Sequence, residues 1–139
     1  MDTLGKLTAA PITLELGGRQ YDLTPLGMVD HAQFKRFLKG FIAKETTDAA
    51  EAMKNADAPD DEIKRLWEMA RWNMEHTGQY NYLEHVECIV ESVWLGLRKA
   101  HPEVTREQVG EMLLAEENLQ KIVETEEELN TIEDETKKA

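Results

Sequence analysis

The stretch PITLELGGRQYDLTPLG, residues 11–27, constrains the fold of this chain more than any other part of its sequence. Apolar and polar residues alternate on both sides of Gly17 and Gly18, a pattern typical of a β-hairpin closed by a two-residue turn with positive φ. Such a turn predicts three cross-strand pairs: Leu16 with Arg19, Leu14 with Tyr21, and Ile12 with Leu23. One face of this hairpin is almost wholly apolar. Since an isolated two-stranded hairpin is marginal in water, another element must cover that face.

A stripe of apolar residues after the hairpin predicts an amphipathic helix. The stripe consists of Phe34, Phe37, Leu38, Phe41 and Ile42, spaced as one helical face. Gly27 is the expected N-cap, and Asp30 in the first turn complements the helix dipole. Because short connections favour packing between sequence neighbours, this helix is the expected cover of the hairpin. The free edges of the hairpin could accept a strand from a partner or from a second copy, so a homo-oligomer is an open alternative.

The next segment, TTDAAEAMKNADAPDD, has little to bury and is expected to be a mobile connector. Asp48 and Glu51 have the spacing of a capping box, so a short exposed helix is the open alternative. Further apolar stripes predict one helix from Pro59 to Gly78 and a stronger one from Gln79 to Ala100. Thr105 and Gln108 have the spacing of a capping box for a short helix. Asn118 is the expected N-cap of a last helical segment.

These elements predict a mainly α fold, in which an N-terminal β-hairpin packs on a small bundle of about four or five helices. The chain has 139 residues, the size of one ordinary domain. We expect an N-terminal arm over residues 1–10, one domain over residues 11–123, and an acidic, partly disordered tail over residues 124–139. The tail is interpreted either as solvated disorder or as an interaction segment.

Composition excludes several classes of function. The formal net charge is -12, so the chain would repel a phosphate backbone, and nucleic acid is not an expected partner. No stretch reaches the roughly 18 apolar residues of a membrane-spanning helix. The single cysteine, Cys88, allows no internal disulfide and fits a reducing compartment.

No motif predicts catalysis, a metal site or a cofactor. The sequence EHVEC places His85 and Cys88 on one helical face, but zinc needs three or four convergent ligands and no second ligand pair is present. The same two residues could form a thiolate and base, yet Cys88 lies mid-helix among core residues. Phosphate-binding signatures are absent. The expectation is therefore a protein that is not an enzyme.

The aromatic residues suggest a surface for binding a partner. Trp67 and Trp94 fall on predicted core stripes, whereas Trp72 lies well around the helix from Trp67. Trp72 is therefore either an exposed interface residue or part of a second buried face. The predicted partner-binding residues are Trp72, Tyr80, Tyr82, Leu119 and Ile122.

The order of these features resembles a known family. The pieces ITLELGGRQYDLTPLG, MVDHAQFKRFL, ESVWLGLRKAHPEVTREQVGEML and ENLQKIVE look like the small tail assembly chaperones of long-tailed bacteriophages and prophages. The best-matching piece is WLGLRKAHPEVTREQVG, where a Trp-bearing helix ends near Pro102 and a capped helix begins.

The resemblance implies a non-catalytic protein in the cytoplasm of the bacterial host. Its partners would be the tape measure protein, which it keeps soluble, and the tail tube protein that polymerises around the tape measure. The alternative is a structural protein of the virion, such as a head-tail joining or tail-completion component. Finished particles would contain the structural protein but not the chaperone.

Overall fold

The computed structural model describes the backbone of residues 11–138 and the side chains of residues 11–130. Over this range the chain is mainly helical, with five helices and an N-terminal antiparallel hairpin, which confirms the predicted fold class. The arm predicted over residues 1–10 lies outside the described residues.

The hairpin consists of β1 (Ile12–Leu16) and β2 (Arg19–Leu23), and its register confirms the three predicted pairs. Gly17 and Gly18 form the turn with φ of 59° and 81°, in the left-handed region that glycine enters without steric cost. Alternation therefore places one apolar face toward the rest of the protein.

The first helix, α1 (Met28–Asn55), begins after Gly27 as predicted, but it is far longer than expected. The prediction of a mobile connector after Thr46 is wrong, because helix α1 continues through this segment. The segment is rich in alanine, with Glu, Lys and Met, all strong helix formers. The helix ends only at Asn55, and in the connection at residues 56–59 Asp57 adopts a positive φ of 57°.

The second helix, α2 (Asp60–Glu75), packs back along α1, since the connection between them is short. Two 3-10 turns follow, Thr77–Gln79 and Tyr82–Glu84, before α3 (Val86–Leu97) begins. The helix predicted from Gln79 therefore starts seven residues late.

The capping box of Thr105 and Gln108 is present at the start of α4 (Arg106–Met112), as predicted. The last helix, α5 (Glu116–Lys138), starts before Asn118, which is therefore not its N-cap. Asn118 is buried, and its side-chain amide donates a hydrogen bond to the Met112 carbonyl at 3.0 Å. The domain boundary expected at residue 123 falls inside α5, where the following Thr125 and Glu126 are buried.

The hairpin is covered by α3, α4 and α5, and the prediction that the phenylalanine helix covers it is wrong. The buried residues of this main core are Leu16, Tyr21, Leu23, Ile89, Val93, Leu97, Val104, Val109, Leu113 and Ile122. The phenylalanines form a second cluster on another face of α3, with buried residues Phe34, Leu38, Phe41, Cys88 and Leu95. Helix α3 is buried on both faces, so it can separate the hairpin from α1.

Gly96 on α3 lets β2 approach the helix closely. A Cβ atom there would lie 2.5 Å from Cδ1 of Leu23 and 3.2 Å from the Thr24 carbonyl oxygen. The Thr24 amide donates to the Gly96 carbonyl at 2.8 Å. The hairpin is thus held to α3 by a backbone hydrogen bond as well as by apolar contact.

Candidate partner-binding surface

We use the name helical arm for residues 44–75, a pair of helices made of the distal half of α1 and the whole of α2. Ala70 is the only buried residue of α2. Its remaining inward-facing apolar side chains are half-buried: Ile63, Leu66, Trp67 and Met74. On the distal half of α1 only Thr46 is buried. The arm therefore has a single layer of packing and leaves much of its apolar surface in contact with solvent.

Trp72 lies on the outer side of this arm, with 47% of its surface exposed. Its ring stacks on His76 at a centroid distance of 4.2 Å, and His76 Nδ1 is 2.8 Å from the Trp72 carbonyl oxygen. Met69, one helical turn before Trp72, is 66% exposed. Helical spacing places Met69 on the same side of α2 as Leu66 and Asn73. Met69 and Trp72 are the two exposed large apolar side chains of α2, and they form the exposed apolar patch of the arm.

Sequence reasoning found Trp72 but missed Met69. The available signal was the position of Met69 three residues before a tryptophan that lies off the predicted core stripe. Methionine is flexible and polarisable, which suits a surface that accepts different apolar shapes.

Tyr80 lies at the base of the arm and is half-buried. Its ring stacks on His85, and its hydroxyl oxygen is 3.0 Å from His85 Nε2. Phe41 contacts the same imidazole, with ring centroids 5.1 Å apart. Burial raises the pKa of Tyr80, and the nearby Cys88 adds to this effect. Tyr80 therefore supports the junction of α1 and α3 and presents only part of its ring to solvent.

Tyr82 is committed to contacts inside the protein. Its hydroxyl donates to the buried carboxylate of Glu126 at 2.9 Å, and the Ser92 hydroxyl donates to the other oxygen of Glu126 at 2.9 Å. Burial raises the pKa of Tyr82, and the charge of Glu126 raises it further. Asn130 donates to the Tyr82 oxygen at 3.4 Å. This network fastens α5 to α3.

The two predicted residues on α5 lie in the main core. Ile122 has no exposed surface, so it has nothing to offer a partner, and this part of the prediction needs correction. Leu119 is half-buried against the same cluster. The reason is that α5 packs against the hairpin, and Leu119 and Ile122 lie on the side of α5 that contacts the hairpin cluster.

Cys88 and His85 are not arranged as a nucleophile and base. Cys88 is fully buried, and burial raises the pKa of its thiol to about 12. The His85 ring nitrogen Nε2 faces the Tyr80 hydroxyl instead. Among the side chains the structure describes, no group of three or more His, Cys, Asp or Glu is placed to hold a metal ion.

A basic cluster surrounds Trp94, which sequence reasoning assigned only to the core. Arg106 lies over its ring at 3.9 Å and Arg98 at 5.1 Å, beside an open cavity of about 730 Å³. Arg106 pairs with the buried Glu91 at 2.7 Å, which raises the pKa of Arg106, and Arg98 pairs with Asp30. Each guanidinium is thus already paired with a carboxylate of the protein. These ion pairs join α1, α3 and α4, and they leave little positive charge to bind an anion.

No helix within residues 11–138 is both long and apolar enough to cross a membrane. Comparison with protein-family models, with curated proteins and with solved structures gave no match.

Proposed function

We propose that this protein is a non-catalytic tail assembly chaperone of a long-tailed bacteriophage or prophage. It binds the tape measure protein in the cytoplasm of the bacterial host and keeps it soluble while tail tube subunits polymerise. The observation that supports this proposal is the apolar surface that the helical arm leaves open around Met69 and Trp72. Exposed apolar patches on a soluble protein often mark sites for a protein partner.

An amphipathic helix of the tape measure protein would match this surface, because its apolar side could pack against the exposed apolar side chains of the arm. Packed along the arm, it would complete a three-helix layer and cover Met69 and Trp72. Burial of this apolar surface would favour association, offset by the loss of freedom of the two partners. The net charge of -12 would keep the complex soluble by repulsion between complexes.

The test is co-expression of this chain with the tape measure and tail tube proteins encoded beside it, followed by affinity capture. We expect the tape measure protein to be recovered with the unaltered chain. A double variant with Met69→Ser and Trp72→Ala should lose most of that recovery, because both side chains belong to the exposed patch. Leu114→Ser is the matched control, since Leu114 is 84% exposed and lies outside the arm.

Mass spectrometry of finished particles separates the two classes of function. A chaperone should be absent from them. Presence at a fixed copy number would instead identify a structural protein, such as a head-tail joining or tail-completion component. Equal capture by the double variant and by Leu114→Ser would contradict the assignment of the arm as the binding surface.

A further inference from the structure

The outer edge of β2 is occupied at Asp22 and Thr24 by hydrogen bonds within the protein. The Asp22 amide donates to Nε2 of His101 at 2.9 Å, and the Thr24 amide donates to the Gly96 carbonyl at 2.8 Å. His101 is held there by edge contact with Tyr21, with ring centroids 5.3 Å apart. A strand from another molecule would have to displace these two bonds, so β2 is the less accessible edge of the hairpin.

The outer edge of β1 is largely open. Leu16 and Arg19 close a two-residue turn, so hydrogen-bonded pairs alternate from there, and the backbone groups of Thr13 and Glu15 point away from β2. Among the hydrogen bonds of the described residues, one reaches these groups, from Lys121 Nζ to the Glu15 carbonyl oxygen at 3.2 Å. Within residues 11–130, no hydrogen bond occupies the Thr13 amide, the Thr13 carbonyl or the Glu15 amide, so these groups can pair with a third strand.

The apolar face of the sheet is also open on the β1 side. Ile12 and Leu14 are half-buried, whereas their cross-strand partners Leu23 and Tyr21 are 2% and 7% exposed. A strand added at β1 would place alternate side chains over this uncovered margin and extend the main core. The open backbone groups and the open apolar margin thus lie on the same strand.

Charge beside this edge selects the kind of strand. Lys121 reaches the edge from α5, and Glu117, Glu124 and Glu128 share its side of that helix and are exposed. A second copy would bring an identical row of carboxylates alongside the first, which is unfavourable. A strand that carries lysine or arginine would be attracted instead.

We propose that the β1 edge binds an extended, basic segment of a partner protein as a third strand, with alternate apolar side chains facing the main core. Main-chain hydrogen bonds to Thr13 and Glu15 supply affinity, and the acidic row of α5 supplies specificity. This site is separate from the helical arm, so its existence does not depend on the proposed function.

Amide hydrogen exchange of the full chain, measured by NMR, tests the proposal with two synthetic peptides of about eight residues. One alternates lysine with valine and the other glutamate with valine. In the free protein we expect fast exchange at Thr13 and Glu15, with the Asp22 amide protected. The basic peptide should slow exchange at Thr13 and Glu15 by about tenfold or more, and the acidic peptide should not.

Two proline variants check the location of the site. Thr13→Pro removes an amide from the outer edge of β1, and Gln20→Pro removes one from the outer edge of β2. Neither amide takes part in the hydrogen bonds between β1 and β2. We expect Thr13→Pro to lose peptide binding and Gln20→Pro to keep it. If Thr13→Pro fails to fold, the double variant Glu124→Gln and Glu128→Gln serves instead, with weaker binding of the basic peptide expected.

Several outcomes would overturn the proposal. Slow exchange at Thr13 and Glu15 in dilute free protein would mean that the chain itself covers the edge. Protection that grows with protein concentration would identify a second copy as the occupant. Equal protection by both peptides would show that charge does not select the bound strand. Protection by neither peptide would show that the edge does not bind an extended strand.

Discussion

At the scale of residues, two buried carboxylates tie the helices of this acidic protein together. Glu91 on α3 accepts two hydrogen bonds from Arg106, at 2.7 and 3.2 Å. Glu126 on α5 accepts from the hydroxyls of Tyr82 and Ser92. A buried charge is tolerated only when it is well paired, so removal of Arg106 would leave the Glu91 carboxylate without its cation, and removal of Tyr82 or Ser92 would weaken the pairing of Glu126. These contacts orient α4 and α5 around α3.

Replacement of Gly96 by alanine should destabilise the protein. The added methyl group would meet Cδ1 of the buried Leu23 at 2.5 Å and the Thr24 carbonyl oxygen at 3.2 Å, so the Leu23 side chain or the hairpin backbone must shift. We expect a loss of about 1–3 kcal/mol in the free energy of unfolding, measured by urea denaturation.

Gly40→Ala is the matched control for that variant. Gly40 lies inside α1 with open space around its Cα, so alanine should stabilise the helix by about 0.5–1 kcal/mol. Equal effects of the two substitutions would show that Gly96 has no special role in the approach of β2.

Burial of the Cys88 thiol predicts an alkaline loss of stability. Its pKa rises from 9.0 to about 12 on folding, so above pH 9 the unfolded chain releases a proton that the folded chain keeps. The contribution of this thiol to the free energy of unfolding is therefore fully present below pH 9. Above pH 9 it declines by at most about 1.4 kcal/mol per pH unit.

Chemical denaturation of the unaltered chain and of Cys88→Ala between pH 8 and about pH 11 measures this effect. The variant should be less stable at pH 8, because a cavity is left, but its stability should fall less steeply with pH. Parallel pH profiles would contradict the assignment. The decline that remains in the variant has a second source in Tyr82, whose pKa is also raised by burial.

At the scale of elements, the contrast between α2 and α3 decides which part of the fold is open to a partner. Helix α3 is buried on two faces, whereas α2 has one buried residue, Ala70. Local stability follows the number of buried apolar contacts, so these two helices should open with different free energies.

Amide hydrogen exchange should therefore be faster in α2 than in α3. We expect protection of the amides around Ala70 to be at least about tenfold lower than around Val93, where both core clusters pack. Residue-resolved exchange at neutral pH provides the measurement. Equal protection would mean that the arm opens only with the whole domain and would weaken its role as an adaptable surface.

At the scale of the whole molecule, excess negative charge opposes the compact state. The formal net charge is -12, and much of the acidic sequence lies in α5. Added salt screens repulsion between exposed carboxylates, so moderate NaCl should raise the free energy of unfolding. Thermal unfolding in low salt and at about 0.3 M NaCl tests this, with KCl at the same ionic strength as the control, since screening depends on ionic strength and not on which of these two cations is used. A lower melting temperature in NaCl would contradict the expectation.

The candidate surface was only partly predictable from the sequence. Trp72 could be found, because a large aromatic residue off the core stripe is conspicuous in the helical pattern. Ile122 was assigned to the same surface, although it is fully buried in the main core. Helical periodicity shows which side of α5 is apolar, but it does not show what that side packs against.

Local features were determined by the sequence alone: the register of the hairpin, the glycine turn, the start of α1 after Gly27 and the capping box at Thr105. These depend on interactions between residues close along the chain. The tertiary structure decided what covers the hairpin, how far α1 extends and why Glu126 is buried. Those outcomes depend on competition between distant apolar faces for the two sides of α3, and no pattern within a single segment records which face wins.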